Sequence, residues 1–122
     1  MEEVSGYFSK DELSCSCCGR YKFDPQFLII LNAIREQVGP MPVSSGYRCP
    51  DHPIESKKAN GPGEHSTGMA VDIAVSGDRA HKLLEVAMKY RIPRIGVNQK
   101  GSARFIHLGV NEDLPNPTVW SY

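Results

Sequence analysis

The chain has 122 residues, of which 40% are hydrophobic, and it carries 14 Lys and Arg against 14 Asp and Glu. This length and composition predict a single domain over residues 1–122 with one modest core. A formal net charge of zero gives no support to a nucleic-acid or anionic-membrane binder. The polar start MEEVSGYFSK lacks the apolar segment of a signal peptide, and no run approaches the roughly 18 apolar residues of a membrane span. We therefore expect synthesis in the cytoplasm without a signal peptide.

The N-terminal segment, residues 1–22, is marked by its cysteines. Cys15, Cys17 and Cys18 are crowded into CSCCG, and the fourth cysteine is the distant Cys49. A thiolate metal site or a redox-labile disulfide is one interpretation. Buried free thiols beside a turn are the other, which the absence of an export signal favours. Because adjacent Cys17 and Cys18 cannot easily bond each other, any crosslink would join this segment to Cys49.

The first predicted helix lies in FDPQFLIILNAIREQVGP. Asp24 is a suitable cap, Pro25 suits the first helical position, and Gly39 with Pro40 ends the helix. Apolar residues at three- and four-residue steps predict one face packed on a core. These residues are Phe27, Ile30, Leu31, Ile34 and Val38.

A short strand is predicted in MPVSSGYR, followed by a long loop from Cys49 to Glu64. The loop is rich in proline, glycine and polar residues, and neither helical nor strand periodicity continues through it. Long loops in compact domains often serve a binding site.

The next predicted strand is MAVDIAV. Alternation places one set of side chains on the core face, namely Val71, Ile73 and Val75. The opposite set consists of Ala70, Asp72 and Ala74. The aspartate thus lies on a face of small residues, directed away from the main core.

A second helix is predicted in SGDRAHKLLEVAMKYRIP, with Ser76 or Asp78 as its cap and Pro93 beyond its end. His81 falls on its exposed side. The residues predicted to point inward are Ala80, Leu83, Leu84, Ala87 and Met88.

RIGVNQ and ARFIHLGV flank residues 100–102 and predict a hairpin. In its second strand the predicted core residues are Ile106, Leu108 and Val110, and the opposite face carries Phe105, His107 and Gly109. Residues 111–122 are broken by prolines and predict an irregular tail, with Trp120 and Tyr122 packed back onto the body.

Asp72 and His107 therefore each lie on a strand face lined by small or polar residues, and His65 lies in the turn before the first of these strands. A buried carboxylate requires a hydrogen-bonding partner or a cation. Zinc accepts imidazole and carboxylate ligands, and catalytic zinc usually keeps three protein ligands. Taken alone, each residue also has a structural explanation: an interior histidine with its hydrogen bonds made, or an aspartate bound to backbone amides.

Three blocks, SSGYRCPDHP, HSTGMAVDIAV and FIHLGV, together resemble the zinc D-Ala-D-Ala carboxypeptidase family of metallopeptidases, especially its short phage and bacterial members. The family pattern His-x-x-Gly-x-Ala-x-Asp is met by His65, Gly68, Ala70 and Asp72, and the later strand histidine by His107. The resemblance runs from about Phe23 to Val110. It implies an α+β fold like that of D-Ala-D-Ala metallopeptidases and the hedgehog signalling domain. That fold would have a small antiparallel sheet, two main helices and a zinc ion on His65, Asp72 and His107.

The family's Ser-Gly-Tyr-Arg motif is met by residues 45–48. The resemblance implies that Arg48 binds a substrate carboxylate or polarises the scissile carbonyl, for which a guanidinium is well suited. Ser45 and Tyr47 are expected to support substrate binding, although packing explains Tyr47 equally well. The alternative for Arg48 is an ordinary salt bridge.

The chain also departs from the family. Arg104 stands where many relatives have an acid three residues before the last zinc histidine, Gly109 stands where others have an aspartate, and Gly63 replaces a common serine. A general base must come within hydrogen-bond reach of the reacting water. The loop candidates are Glu64, Glu55, Asp51 and His52, and each has the alternative of a solvated loop charge. His52 is also a candidate proton shuttle or extra ligand.

The expected function is a zinc-dependent peptidase acting on the peptide part of bacterial peptidoglycan, as a carboxypeptidase or endopeptidase. We expect a phage lysis or virion-associated enzyme that reaches the wall by lysis or delivery. Its expected partner is a stem peptide, with neither nucleic acid nor membrane, and the chain is expected to be a monomer. A non-catalytic, zinc-stabilised module that binds wall peptides or a protein is the alternative. A cysteine-zinc interaction domain is a third possibility, but it leaves Asp72 and His107 unexplained.

Overall fold

The structure is a computed structural model that describes residues 3–5, 7–58 and 63–122. The strands are β1 Glu3–Ser5, β2 Phe8–Ser9, β3 Val43–Ser45, β4 Ala70–Ile73, β5 Arg94–Asn98, β6 Phe105–Gly109 and β7 Thr118–Ser121. The helices are α1 Lys10–Leu13, α2 Pro25–Val38, α3 Pro53–Ser56 and α4 Gly77–Lys89. A 3-10 turn covers Glu64–Thr67. The predicted loop is thus interrupted by α3, and its residues 59–62 lie outside the described residues.

The main sheet has the strand order β3-β4-β6-β5-β7. The β3–β4, β4–β6 and β5–β6 pairs are antiparallel, which confirms the predicted hairpin, but β7 runs parallel to β5. The α+β class is therefore confirmed, whereas the prediction of an antiparallel sheet and an irregular tail is wrong at residues 118–121. Gly96 explains how this strand docks, because a Cβ at Gly96 would collide with the indole of Trp120.

Helix α2 follows its sequence signals closely. The Asp24 carboxylate accepts a hydrogen bond from Phe27 N at 2.9 Å, Pro25 begins the helix, and Gly39 ends it. Phe27, Leu31 and Ile34 are buried against the core. The predicted cap and apolar face are therefore both confirmed.

Helix α4 packs beside α2 and over β6. Its buried residues are Ala80, Leu83, Val86 and Ala87. The prediction that Met88 points inward is wrong, since Met88 is 57% exposed and Val86 occupies the core instead. The buried stripe is therefore rotated by part of a turn relative to the predicted face. None of the helices in the described ranges has the length and apolar character needed to cross a membrane.

The N-terminal segment folds into a β1–β2 hairpin and the short helix α1, which Ser9 and Glu12 cap reciprocally. It joins the body near the end of β3, where Tyr47 N donates to Leu13 O at 2.9 Å. Gly46 lies so close to Leu13 that a Cβ there would collide with the Leu13 backbone. This contact carries the cysteines of the N-terminal segment towards Cys49.

Candidate metal centre and the cavity beside it

Three ligand-type side chains meet on the face of the sheet opposite the helices. Strands β4 and β6 pair in a register that places Asp72 directly across from His107. His107 Nδ1 lies 3.1 Å from Asp72 Oδ1, and His65 Nε2 lies 3.3 Å from the same oxygen. All three residues are buried, and their ligand atoms lie within 4.8 Å of one another.

The 3-10 turn fixes the direction of His65. Gly68 ends this turn in the left-handed region at φ 76°, and a Cβ at Gly68 would collide with the Lys22 carbonyl oxygen. His65 Nδ1 donates to the Gly46 carbonyl at 2.8 Å, since a carbonyl oxygen only accepts. Its Nε2 therefore faces Asp72 and is the nitrogen available to a metal.

Glu64 holds the other ring nitrogen of His107. Its Oε1 lies 2.8 Å from His107 Nε2 and accepts from Arg94 Nε at 3.0 Å, while its Oε2 accepts from Asn111 N at 3.0 Å. A carboxylate on the outer nitrogen of a metal-binding histidine is a common arrangement that fixes the ring and its tautomer. A Cβ at Gly109 would collide with this carboxylate, so the absence of a side chain there makes room for Glu64.

The electrostatics of the cluster favour positive charge between the carboxylates. Burial opposes ionisation of Asp72, but hydrogen bonds from His107 and His65 hold its pKa well below the usual range. Burial also opposes ionisation of Glu64, yet hydrogen bonds from His107, Arg94 and the Asn111 backbone lower its pKa. Burial by itself would lower the pKa of His107, but its hydrogen bonds to Asp72 and Glu64 outweigh burial and raise this pKa above its usual value.

These residues fit a zinc ion. Two imidazole nitrogens and a carboxylate oxygen are a known zinc donor set, and a tetrahedral zinc holds such atoms about 3.3 Å apart. The two separations of 3.1 and 3.3 Å around Asp72 Oδ1 agree with that spacing. Three protein ligands also leave one coordination position for water or substrate.

Arg48 borders the cluster from the loop after β3. Its Nη2 donates to Asp72 at 3.2 Å, its Nη1 to Glu55 at 3.0 Å, and its Nε to the Ser45 hydroxyl at 2.9 Å. Of the five N–H groups of a guanidinium, two thus lack a partner among the described residues. Arg48 is consequently both anchored and able to donate into the cavity.

The remaining predicted site residues separate into two locations. Ser45 and His52 line the same cavity as the cluster, and His52 Nε2 lies 3.1 Å from the Ser16 hydroxyl. Tyr47 packs with Cys15 and Cys49 in a separate buried group. The structure therefore places the predicted metal-binding, catalytic and substrate-binding residues at the cavity, except Tyr47. Of the other two candidates for the general base, Asp51 is exposed away from the cavity lining and Glu55 is buried against Arg48.

The cavity has a volume of about 990 Å³, and sequence reasoning missed part of its wall. The ring of Trp120 packs on His107 at 5.1 Å between centroids, and the Arg94 guanidinium lies 5.0 Å from the Trp120 ring. Tyr122 and Phe105 complete this side. Arg94 carried no motif that could have identified it, because its role depends on β5 lying beside β6.

The four cysteines form a second cluster, and all four are free thiols. Cys15 and Cys49 are buried, whereas Cys17 and Cys18 are exposed. Burial would raise the pKa of the Cys15 thiol, but hydrogen bonds from the backbone amides of Cys49, Cys17 and Cys18 lower it to about 6. Hydrogen bonding to Cys49 and Cys15 raises the pKa of Cys17 to about 12.

Comparison with known proteins agrees with the geometry. Neither a search of curated proteins nor a search of solved structures gave a match. The family model described as Peptidase M15 matches residues 6–109, a range that contains the His65, Asp72 and His107 cluster. Peptidases of this family depend on zinc. The chain therefore belongs to the peptidase M15 family, the metallopeptidases of the zinc D-Ala-D-Ala carboxypeptidase type.

Proposed function

We propose that the protein hydrolyses the peptide part of bacterial peptidoglycan, as a D-Ala-D-Ala carboxypeptidase or an endopeptidase, and that a phage uses it to open the cell wall. The observation that carries this proposal is the convergence of three buried ligand-type residues beside a cavity that also contains Arg48. In this proposal the partner is a stem peptide, without nucleic acid or membrane, and the chain acts as a monomer.

His65, Asp72 and His107 would hold the metal, with Gly46 O and Glu64 orienting the two imidazoles. When bound, zinc would supply a Lewis acid that polarises the amide carbonyl and activates a water. The residues around it exclude bulk water on one side, where Trp120 covers His107.

Glu64 acts in this proposal as a positioning residue and not as the general base. Both of its oxygens already accept hydrogen bonds, from His107, Arg94 and the Asn111 amide. A base needs an oxygen or nitrogen directed at the reacting water. His52 is the candidate to supply a proton and not to accept one, because its Nδ1 accepts from Ile54 N at 3.1 Å, which leaves the proton on Nε2, at the cavity wall 3.1 Å from the Ser16 hydroxyl.

Arg48 is the group of the cavity best placed to bind an anionic substrate. The other lining cations, Lys58 and Arg94, are paired with Glu55 and Glu64, whereas two donors of Arg48 are available within the described part of the chain. A bidentate guanidinium contact would anchor a carboxylate of the stem peptide. In a carboxypeptidase that carboxylate is the C-terminus, whereas in an endopeptidase it belongs to a side chain.

A second candidate, a non-catalytic zinc module that binds wall peptides, is favoured by one observation. Arg104, which occupies the position of an acid in many relatives, is exposed and its Nε donates to Gly101 O at 2.9 Å. That position therefore supplies no carboxylate to the cavity.

The test is digestion of purified, defined muropeptides by the zinc-loaded protein, with products identified by mass spectrometry. Release of a terminal D-amino acid would identify a carboxypeptidase, and cleavage within the stem or cross-link an endopeptidase. His107→Ala should abolish both zinc binding and cleavage, and His52→Ala should reduce cleavage while zinc stays bound. Absence of cleavage by protein that contains stoichiometric zinc would contradict the enzyme and favour the binding module.

A further inference from the structure

We propose that Cys15, Cys17, Cys18 and Cys49 form a second metal site, a four-thiolate zinc site that fastens the N-terminal segment to the loop carrying Arg48. This site is chemically distinct from the His65, Asp72 and His107 cluster, because all of its ligands are sulfur. It has a structural role and no part in the hydrolysis proposed above.

The distances between the thiols support a shared ion. The four Sγ atoms lie within 4.8 Å of one another. Cys15 and Cys17 Sγ are 3.6 Å apart, and Cys17 and Cys49 Sγ are 3.3 Å apart. A tetrahedral zinc with Zn–S bonds of about 2.3 Å holds its sulfur atoms about 3.8 Å apart. The cluster therefore needs only small side-chain adjustments to bind such an ion.

The local chain has the form of a metal-binding turn. Cys15 and Cys18 have the Cys-x-x-Cys spacing of many zinc sites, and Gly19 follows at φ 74°, a conformation that favours glycine. The turn is closed by hydrogen bonds from Gly19 N to Cys15 O and from Cys15 N to Arg20 O, each 2.8 Å. Cys49 N also donates to Cys15 Sγ at 3.3 Å, and an N–H donor stabilises the thiolate form that binds a metal.

The exposure of the cluster also favours a metal. Cys17 and Cys18 are exposed beside two buried cysteines, and exposed free thiols are prone to oxidation. Binding of a soft thiolate-preferring ion such as zinc would remove that reactivity. The same set of four sulfurs has no carboxylate or imidazole that would select a harder ion.

The cysteine cluster lies beside residues that line the cavity. Cys49 directly follows Arg48, and Ser16, which lies between two of the cysteines, contacts His52 at 3.1 Å. Tyr47 packs against Cys15 and Cys49. A metal on the four sulfurs would therefore hold two sides of the peptide-binding cavity in place.

The first measurement is metal content of the full chain, together with the absorption spectrum after cobalt replaces zinc. We expect two metal ions per chain and a thiolate-to-cobalt charge-transfer band in the near ultraviolet. His107→Ala should lose one ion and keep the band, whereas Cys17→Ser with Cys18→Ser should lose one ion and the band. A wild-type protein with one ion and no such band would overturn the proposal, and so would a double variant that keeps both ions.

A second measurement needs no variant and so does not depend on variants folding. Cys17 and Cys18 should be alkylated slowly in the zinc-loaded protein and at least about tenfold faster after chelation. Equal alkylation rates with and without zinc would overturn the proposal. Neither result depends on peptidase activity, so the proposed cysteine site can fail while the proposed reaction stands, and the reverse.

Discussion

The two clusters of ligand-type residues are held together by different parts of the fold. Asp72 and His107 lie on the paired central strands β4 and β6, where backbone hydrogen bonds fix their separation. Three of the four cysteines lie in a turn and the fourth in a loop, and they meet where Leu13 packs on residues 46 and 47. The first cluster should thus keep its shape without a metal, whereas the second should depend on one.

The largest effect is expected for Asp72→Ala. This change removes Asp72 Oδ1, the carboxylate oxygen that both His65 and His107 contact. It also leaves Arg48 without one of its two buried carboxylate partners. Zinc on the sheet cluster and muropeptide cleavage should both fall to background, while the thiolate-to-cobalt band persists. Metal analysis and digestion assays check this, and retention of cleavage would show that the sheet cluster is not the reaction centre.

Glu55→Gln should destabilise the fold by about 2–3 kcal/mol at neutral pH, because Glu55 is buried and joins Arg48 to Lys58. Burial opposes its ionisation, but hydrogen bonds from Gly63 N and Lys58 and the charge of Arg48 lower its pKa. A lowered folded pKa stabilises the protein above the ordinary Glu pKa, and this contribution is lost as the pH falls through the folded value.

The measurement is urea unfolding of wild type and Glu55→Gln, in one metal state, from about pH 7 to about pH 3. The stability difference between the two proteins should shrink on acidification. A difference that is constant with pH would indicate that the carboxylate charge contributes nothing and that shape alone matters.

Glu64→Ala should weaken zinc binding at the sheet cluster by about 10–100-fold, because His107 loses the acceptor on its outer nitrogen. Gly109→Asp alone should also be harmful, since its side chain would collide with Glu64. The double variant Glu64→Ala with Gly109→Asp should recover affinity, because the new carboxylate enters the vacated space. Competition with a chelating dye measures each affinity.

This series also separates the two roles considered for Glu64. A positioning residue lowers zinc affinity when it is removed and is rescued by Asp at position 109. If Glu64→Ala kept full zinc affinity and lost only turnover, Glu64 would be the general base.

The smallest effect is expected for Glu85→Gln, the matched surface control for Glu55→Gln. Glu85 pairs with Lys82 on α4 at 3.6 Å, and both side chains are about half exposed. The change should alter the free energy of unfolding by less than about 0.5 kcal/mol. Urea unfolding under the same conditions checks this, and an effect as large as that of Glu55→Gln would show that burial is not the cause.

The sequence predicted the parts of the fold in which local periodicity and tertiary packing agree. The capped helix α2, strand β4 and the β5–β6 hairpin are of this kind, and alternation placed Asp72 and His107 on one face. Strand β7 could not be predicted, because it depends on a parallel pairing with β5 and on the open space over Gly96. Proline-broken local sequence gave no sign of that pairing.

The site was predictable to a similar extent. The ligand-type trio followed from strand alternation and family resemblance, but the contacts of Glu64 with Arg94 and Asn111 link segments that are distant in the chain. For the cysteines, the crowding of three in CSCCG indicated a thiolate site, but their contact with Cys49 depends on the packing of α1 against residue 46. No local pattern encodes these contacts between distant segments.

The exclusion between Glu64 and a side chain at position 109 constrains how such a sequence can change over generations. A carboxylate at both positions would collide, and a carboxylate at neither would leave His107 without its outer acceptor. One arrangement has the carboxylate at position 64 and glycine at 109, and the other has the carboxylate at 109 and a small residue at 64. A sequence that changes from one to the other must therefore pass through an intermediate that binds zinc weakly, or both substitutions must be fixed together. Residues 64 and 109 are thus expected to vary as a pair, although 45 positions separate them in the chain.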